Sequence, residues 1–347
     1  IGGKMGVFDF VKIFRVNKSI SIDLGTANIL IYDKQRKKIV LNEPSVVARD
    51  RKTGRLIAVG KEAREMLGKT PDSIQAIKPL QDGVIADIDS TKEMITYFIH
   101  KIYGNSLFKP EVMICVPIEV TSVERKALFD AVKGAKKTYI IEEGRAAIIG
   151  SGVDISQPEG SMVIDIGGGS TDIAILSLDE IIASKSIRIA GNRFDEDIVR
   201  YVKRKYNLLI GDRTAEKIKK ELGSALKVQS PEVMEIKGRD LETGIPNTVE
   251  VNANEIYEAI EDSLFQIVNS TKEVLEKCPP ELAADILDNG IVMTGGGSLI
   301  RNFIDMMEKE VGIKVFLSPN PLDSVVLGGG AAFDNKKLLR TLQMKEN

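Results

Sequence analysis

The sequence has few of the side chains on which nucleophilic and metal-dependent enzymes commonly rely. Its 347 residues include one histidine, two cysteines and no tryptophan. His100 lies in an apolar run typical of a helix, so we expect no catalytic triad built on a histidine base. Cys115 and Cys278 are far apart and neither has a second ligand at metal-binding spacing, so we expect neither a disulfide nor a structural zinc.

The chain also lacks a strong charge of one sign and any long apolar run. Its 48 lysines and arginines nearly balance 50 aspartates and glutamates, for a formal net charge of -2. Such a balance gives no field that would attract nucleic acid. No stretch of about 18 apolar residues occurs and no signal peptide precedes the first strand, so we expect a cytoplasmic protein. Residues 1–4, ahead of Met5, are interpreted as a tag remnant.

An internal repeat is the main feature that is present. Segment 19–32 resembles segment 162–176, since each has an apolar strand, an Asp-x-Gly turn and a second strand rich in isoleucine. This pattern is typical of a buried hairpin. Asp23 and Asp165 open the two turns and lie about one domain length apart. Strands alternating with helices around them predict an α/β fold of two related lobes with a cleft between.

Periodicity and turn residues predict the other elements. We expect strands at 39–48, 112–116 and 291–294, helices at 90–103, 121–133, 212–226, 254–277 and 298–310, and a loop at 229–243.

Both Asp-x-Gly turns suit phosphate binding. Glycine allows backbone amides to approach phosphate oxygens closely, and Gly25 is followed by Thr26, Ala27 and Asn28. The second turn runs from Gly167 to Gly169 and continues with hydroxyl residues. A plain hairpin turn would explain either glycine cluster alone. The two together, each with an aspartate two residues ahead of a glycine, indicate a site for a nucleoside triphosphate.

The two aspartates need a cation if they lie beside phosphates. Magnesium keeps several waters and is usually held by one or two carboxylates together with substrate phosphates. We therefore expect Asp23 and Asp165 to hold Mg²⁺, through water. The structural alternative is that both simply cap their turns.

Two further segments admit both a functional and a structural interpretation. Glu142 and Glu143 lie at a predicted strand-to-helix junction, where one carboxylate could orient a water molecule for hydrolysis. Both could instead favour the positive N-terminus of the helix. Helix 212–226 could contact a nucleoside, or it could present a solvated charged face with a Glu216–Lys220 pair.

Several short sequence segments that are remote from one another carry a family resemblance. They are Asp23–Asn28, Asn42–Val46, Asp82–Asp87, Ile187–Gly191 and Met293–Ser298. In this order they resemble the actin, sugar-kinase and heat-shock chaperone superfamily, and within it the MreB family of bacterial actins. The resemblance covers residues 18–337.

The resemblance implies an actin-like duplicated two-lobe fold with a nucleotide cleft between the lobes and two small peripheral subdomains. Lobe I would span 18–153, with a subdomain at about 48–82. Lobe II would span 154–324, with a subdomain at about 188–253. Residues 325–347 would return to lobe I, and residues 1–17 would hold the tag remnant and an amphipathic segment.

The resemblance also implies a function. Such proteins bind ATP or ADP with Mg²⁺, hydrolyse ATP slowly and polymerise into filaments of identical subunits, paired in antiparallel fashion. The filaments lie on the anionic inner surface of the cell membrane and support cell shape or motility with adaptor proteins that the sequence does not identify.

Roles for individual residues follow from the same resemblance. Asp23 and Asp165 would serve magnesium and its waters, Glu143 would position the attacking water, and Ser170 would be its catalytic companion. The residues implied to bind the nucleotide are Thr26, Ala27, Asn28, Gly167, Gly168, Gly169, Glu216, Lys219, Gly295, Gly296, Gly297 and Ser298.

The sequence departs from the family pattern beside both catalytic candidates. Gly144 stands where proline is usual, Arg145 follows where an apolar residue is common, and Ser170 replaces a threonine. A less restrained Glu143 would spend less time in the productive geometry. We therefore expect hydrolysis to be retained but slow.

Two segments are candidates for membrane contact. Apolar residues at helical spacing near basic ones predict an interfacial anchor at the N-terminus, although the same face could pack onto its own lobe. A loop at 104–110 carries an apolar pair that resembles the membrane-inserting loop of MreB. The residues concerned are Val7, Phe10, Val11, Phe14, Leu107 and Phe108.

Two other classes of protein share the superfamily. A soluble small-molecule kinase is the main alternative, and it would need polar groups for a second substrate in the cleft. The match to MreB extends into segments remote from the nucleotide, where a kinase has no reason to share it. A chaperone-type switch would need a peptide-binding domain, for which we expect no room in 347 residues.

Overall fold

Two five-stranded sheets with the same plan form the centre of the molecule. The computed structural model describes residues 18–81, 83–104 and 109–344. The strands are β1 (Ser19–Leu24), β2 (Asn28–Asp33), β3 (Lys38–Pro44), β4 (Val47–Asp50), β5 (Leu56–Val59), β6 (Ile74–Ile77), β7 (Leu80–Gln81), β8 (Val84–Ile85), β9 (Glu111–Val116), β10 (Lys137–Glu142), β11 (Ser161–Ile166), β12 (Thr171–Ser177), β13 (Glu180–Ile187), β14 (Leu208–Leu209), β15 (Val233–Asp240), β16 (Pro246–Asn252), β17 (Ile291–Thr294) and β18 (Val315–Leu317).

Eleven α-helices lie in the part of the chain that is described, together with 3-10 turns at Gly296–Leu299 and Ala332–Asp334. The helices are α1 (Lys61–Met66), α2 (Ile88–Tyr103), α3 (Ser122–Ala131), α4 (Glu143–Gly150), α5 (Gly191–Tyr206), α6 (Asp212–Leu222), α7 (Ala253–Glu276), α8 (Pro280–Asn289), α9 (Phe303–Val311), α10 (Ser324–Ala331) and α11 (Lys336–Leu342).

The sheet orders confirm the predicted repeat. The first sheet has the order β10-β9-β1-β2-β3 and the second the order β18-β17-β11-β12-β13. In each, the strand that carries the aspartate pairs antiparallel with the next strand and parallel with a later one. Asp23 lies opposite Leu30 and Cys115, and Asp165 lies opposite Asp172 and Thr294. The two turns therefore end equivalent strands, at the sheet edge where α/β folds bind ligands.

Apolar periodicity explains the long helix α7. Its residues Ile256, Ile260, Leu264 and Ile267 are fully buried, as their helical spacing predicts. Asn252 begins the helix with a capping box in which its side chain accepts from the Glu255 amide, a common helix start signal. The predicted helix at 254–277 is confirmed within one residue at each end.

Helices α4 and α10 cross with their backbones in contact. A Cβ atom on Gly150 would lie 1.8 Å from the Ser324 carbonyl oxygen, and one on Gly328 would lie 1.7 Å from the Ala146 carbonyl oxygen. Only glycine allows this approach. Because α4 directly follows β10, the crossing fixes α4 close to both sheets.

Four predicted elements differ from the structure. The single strand predicted at 39–48 is two strands, β3 and β4, which belong to different sheets. The loop predicted at 229–243 contains β15, whose exposed charged residues alternate with the less exposed Met234 and Ile236. This alternation is that of a half-buried strand, and its partner β16 completes the ladder.

The helix predicted at 298–310 is interrupted. A 3-10 turn ends at Leu299, and α9 begins only at Phe303, after Asn302 in a left-handed conformation with φ of 60°. Between them Arg301 forms a parallel bridge with Ser224, and its carbonyl accepts from the Ala225 amide at 2.7 Å. A contact distant in sequence therefore overrides the local helical pattern. Helix α6 likewise ends at Leu222, earlier than predicted.

Smaller sheets lie beside the two large ones. One has the order β5-β4-β6 and packs with α1, and another has the order β14-β15-β16. The residue bounds given above for lobes and subdomains remain predictions. Cys115 and Cys278 are free thiols. No helix within the described ranges is long and apolar enough to span a membrane.

Candidate functional site

Ser45 holds the first Asp-x-Gly turn in place through two hydrogen bonds. The Ser45 hydroxyl donates to the Gly25 carbonyl at 2.6 Å, and the Ser45 amide donates to the Ala27 carbonyl at 3.1 Å. A Cβ atom on Gly25 would lie 2.7 Å from the Asn28 carbonyl oxygen, so the turn is tight and needs glycine. Ala27 is exposed at its tip, whereas Thr26 is buried.

The second turn is fastened by the start of helix α5. The Gly167 amide donates to the Ser170 carbonyl at 2.9 Å, which closes the turn. The amides of Gly191 and Asn192 donate to the carbonyls of Gly167 and Gly168 at 3.1 and 2.8 Å. The phrase at 187–191 that carried the family resemblance thus supports the second turn.

The two turns touch each other. A Cβ atom on Gly168 would lie 3.0 Å from the Ala27 Cβ atom and 3.3 Å from its amide nitrogen. Segments almost a domain length apart in sequence therefore meet tip to tip. A ligand that contacts one turn's backbone will lie within reach of the other.

Gly83, in the turn between β7 and β8, contacts both Asp-x-Gly turns. Its amide donates to the Thr26 hydroxyl at 3.3 Å, and a Cβ atom on it would lie 2.7 Å from the Ser170 hydroxyl oxygen. Its φ of +74° also requires glycine. The sequence pattern assigned Gly83 no role, although Gly83 lies in segment 82–87, which carries part of the family resemblance. Its neighbour Asp82 lies outside the described residues.

Four carboxylates converge at the turns. Burial, with the nearby Asp323, raises the pKa of Asp23 to about 7. Burial, together with Asp172 and Asp23, raises the pKa of Asp165 well above its ordinary range. Burial also raises the pKa of Asp172 to about 6, although the Ile118 amide donates to it at 3.3 Å.

Asp172 was missed by the sequence analysis. The repeat gave no signal for it, because the residue opposite Asp23 in the first copy is Leu30.

Glu143 is the fourth carboxylate of this group. It begins α4 and is only 9% exposed. Burial raises its pKa, and the charged neighbours that raise it further are Asp172, Asp23 and Asp165. Glu143 is therefore close enough to the aspartates of both turns to feel their charge, and its role in orienting water remains a prediction. Glu142 points instead toward Arg125 and Arg145.

The four carboxylates fit a hydrated cation better than a bare one. Positive charge placed among these clustered acids, of which Asp165, Asp172 and Glu143 are buried, would relieve the cause of their raised pKa values. Among the described residues no three His, Cys, Asp or Glu side chains form a cage that could hold a metal ion. A magnesium ion that keeps its waters and arrives with phosphate ligands suits such a group. Asp23 and Asp165 remain the predicted residues for it.

A third glycine-rich segment adjoins Asp165. Gly295 has φ of +80°, and a Cβ atom on it would lie 2.5 Å from Oδ1 of Asp165. Its amide donates to the Pro321 carbonyl at 2.9 Å. Ser298 is buried and its hydroxyl donates to the Gly295 carbonyl at 2.6 Å, so this side chain helps to close the segment. Gly296 is exposed and Gly297 is buried.

The predicted nucleoside residues of α6 are both engaged with other protein groups. Lys219 Nζ donates to the Gly191 carbonyl at 2.8 Å and pairs with Asp195 at 2.9 Å. Glu216 pairs with Arg64 Nη2 of α1 at 2.9 Å and with Lys220 at 2.7 Å. Lys219 thus supports the segment that fastens the second turn, and Glu216 links α6 to α1. Asp195 is a further residue that sequence patterns did not reveal.

The predicted membrane residues cannot be placed in the fold. Val7, Phe10, Val11, Phe14, Leu107 and Phe108 lie outside the described residues.

Comparison with known proteins gives consistent matches along the chain. The sequence profile of the MreB/Mbl protein family matches residues 17–341. Cell shape-determining protein Mbl of Bacillus subtilis is 49% identical over 321 residues, which cover 92% of this chain and 96% of that protein. Cell shape-determining protein MreB of Escherichia coli is 47% identical over 326 residues, with coverage of 92% and 94%.

Solved structures agree with these matches. Crystal structures of MreB5 of Spiroplasma citri, one bound to ADP and one to AMPPNP, both superpose with a TM-score of 0.87. They are 39% and 38% identical, and each comparison covers 94% of this chain and 98% of the other. The predicted resemblance and fold class are confirmed: the chain belongs to the MreB/Mbl family and has its actin-like fold.

Proposed function

We propose that this chain is an actin-like cytoskeletal protein that binds ATP with Mg²⁺ between its two Asp-x-Gly turns and polymerises into filaments. The observation that carries the proposal is the contact between Ala27 and Gly168, with carboxylates of both sheets beside it. The names of the relatives in Bacillus and Escherichia support a role in cell shape. The nucleotides bound to MreB5 support a nucleotide in the same fold. The kinase alternative gains no support from a family match over residues 17–341.

Each part of the site has a task in this proposal. Backbone amides of the two turns would bind the phosphates, and Asp23 and Asp165 would hold the waters of Mg²⁺. The ion would supply the positive charge that stabilises the phosphates during transfer. Glu143 would orient the attacking water and Ser170 would assist from the second turn. Glu216 and Gly295–Ser298 would lie against the nucleoside.

Hydrolysis is tested by replacing Glu143. Phosphate release from Glu143→Ala, with saturating ATP and Mg²⁺, should fall at least tenfold while the Kd for ATP stays within about threefold, since positioning of water acts in the transition state. Glu159→Ala, at an exposed site, is the matched control and should behave as wild type. An unchanged rate in Glu143→Ala would remove Glu143 from the reaction.

Assembly is tested by electron microscopy with ATP and Mg²⁺. We expect filaments, with pairs of strands in antiparallel arrangement. Absence of filaments across lipid and salt conditions would count against the cytoskeletal proposal and in favour of a soluble kinase.

Membrane attachment on the inner face of the cell membrane is part of the proposal and rests on sequence patterns alone. Many weak sites along a filament would reinforce each other through avidity. Leu107→Ser combined with Phe108→Ser should clearly reduce co-sedimentation with anionic liposomes, and undiminished binding would exclude this loop. Val7→Ser combined with Phe10→Ser tests the N-terminal segment in the same assay.

A further inference from the structure

The start of helix α4 lacks the usual local restraints. Its N-cap residue is Glu142, whose side chain makes no capping hydrogen bond. The second helical residue is Gly144, and glycine has the greatest backbone freedom of any residue. Glu143, proposed to orient the attacking water, lies between them. Local propensities therefore do not fix the direction of Glu143.

An ion pair between the buried Arg145 and the partly buried Glu142 flanks Glu143 instead. Arg145 Nε lies 3.3 Å from Glu142 Oε2, and the two side chains are only 7% and 18% exposed. Neither atom has a hydrogen-bond partner among the residues that the structure covers, so their mutual attraction is the main compensation for burying these two atoms. Separating two charges in a buried setting is strongly unfavourable. The pair therefore holds the ends of segment 142–145 together.

Neighbouring charges connect this pair to helix α3 and to strand β13. Arg125 Nη2 of α3 lies 3.8 Å from Glu142 Oε1, and Arg145 Nη2 lies 3.6 Å from Glu180 Oε2 in β13. Glu180 is 63% exposed, so its contact contributes little. The less exposed Glu142–Arg145 pair is the part that can restrain the backbone.

We propose that Arg145 is a positioning residue for ATP hydrolysis, which fixes the direction of Glu143 by holding Glu142. The inference rests on the proposed function, because it requires Glu143 to orient water. A purely structural Arg145 would affect folding but not the rate at saturating ATP. The test therefore has to separate restraint of the backbone from packing.

The first arm removes the ion pair. In Arg145→Leu, phosphate release at saturating ATP and Mg²⁺ should fall about tenfold, since small misplacements of a catalytic group are costly, while the Kd for ATP stays within twofold. Glu142→Gln removes the same attraction with little change of shape, and its rate of phosphate release should fall to a similar extent.

The second arm restores restraint without charge. Proline fixes φ and is accepted in the first turn of a helix, so Gly144→Pro added to Arg145→Leu should recover at least fivefold of the lost rate. Gly144→Ala in the same background is the control. It adds a Cβ atom, which would lie 3.2 Å from the Ala174 Cβ atom, but restrains φ far less than proline does, so it should recover less than twofold.

Several results would overturn the inference. One is a rate of phosphate release within twofold of wild type in Arg145→Leu. Another is equal recovery of that rate with alanine and with proline at position 144. If Arg145→Leu does not fold, Glu142→Gln decides by the same twofold criterion. A wild-type chain that binds no ATP or releases no phosphate would overturn the proposed function as well, whereas normal wild-type hydrolysis with unaffected variants overturns only the role of Arg145.

Discussion

The contact between the two Asp-x-Gly turns predicts that one added methyl group will weaken nucleotide binding. In Gly168→Ala the new Cβ atom would lie 3.0 Å from the Ala27 Cβ atom, whereas 3.4 Å is the lower end of ordinary contact. Gly168 is not one of the glycines with a positive φ. An alanine at this position therefore meets no penalty for a left-handed backbone. The effect is therefore steric.

The loss of affinity depends on whether the crowded contact can relax in the free protein and in the nucleotide-bound protein. In the free protein the exposed tip of the first turn can move away by a few tenths of an ångström. Bound phosphates would require the original spacing, so the cost appears on binding. Overpacking of this kind costs about 1–3 kcal/mol, and each 1.4 kcal/mol is tenfold in affinity. We expect the Kd for ATP with Mg²⁺ to rise by roughly tenfold, with little change in the Tm of the nucleotide-free protein.

A compensating variant makes the test specific. Ala27→Gly combined with Gly168→Ala removes the 3.0 Å contact but keeps the 3.3 Å contact with the Ala27 amide nitrogen. Affinity measured by titration calorimetry should therefore return to within about threefold of wild type. Unchanged affinity in Gly168→Ala, or a double variant as weak as the single one, would refute the idea that the turns clamp the phosphates together.

Three further predictions concern the surroundings of the turns. Ser45→Ala leaves the Gly25 carbonyl without its 2.6 Å donor, which should cost about 1–3 kcal/mol; a thermal melt without a lower Tm would contradict it. Arg64→Ala removes a partly exposed ion pair with Glu216 worth about 0.5–1 kcal/mol. Stopped-flow release of a fluorescent nucleotide should be about two- to fivefold faster, a difference that high salt should abolish. Burial raises the pKa of Asp195 to about 6. The carboxyl therefore keeps its proton in the folded protein at a pH where the unfolded chain has lost it, so the free energy of unfolding falls as pH rises from about 4 to about 6. Relative to wild type, Asp195→Asn should gain roughly 1–3 kcal/mol in free energy of unfolding between pH 4 and pH 7, and parallel pH profiles would contradict this.

The sequence predicted those parts of the fold that local chemistry decides. Apolar strands flanking an Asp-x-Gly turn can form little else than a buried hairpin, and both hairpins are present. Helix α7 shows its period over six turns and its capping residues. Glu143 was placed at a strand-to-helix junction because β10 and α4 have distinct patterns.

The parts that were missed depend on contacts between distant segments. Arg301 is held out of a helix by Ser224, and β15 has its partners in β14 and β16, which lie elsewhere in the sequence. Asp172 and Gly83 join the site through neighbours from other elements. No pattern within a short window carries that information. A second copy of the repeat could reveal only features that the two copies share.

The crossing of α4 and α10 connects the third glycine segment with both large sheets. Thr294, next to the third glycine segment, donates to Ser324 at 2.8 Å, Ser324 lies 2.7 Å from Ser318, and Ser151 at the end of α4 donates to Ser318 at 3.0 Å. Three of these four hydroxyl residues, Thr294, Ser318 and Ser324, are buried. Since Thr294 ends β17 of the second sheet and α4 directly follows β10 of the first, the hydroxyl chain and the glycine contacts tie the two sheets together beside the third glycine segment.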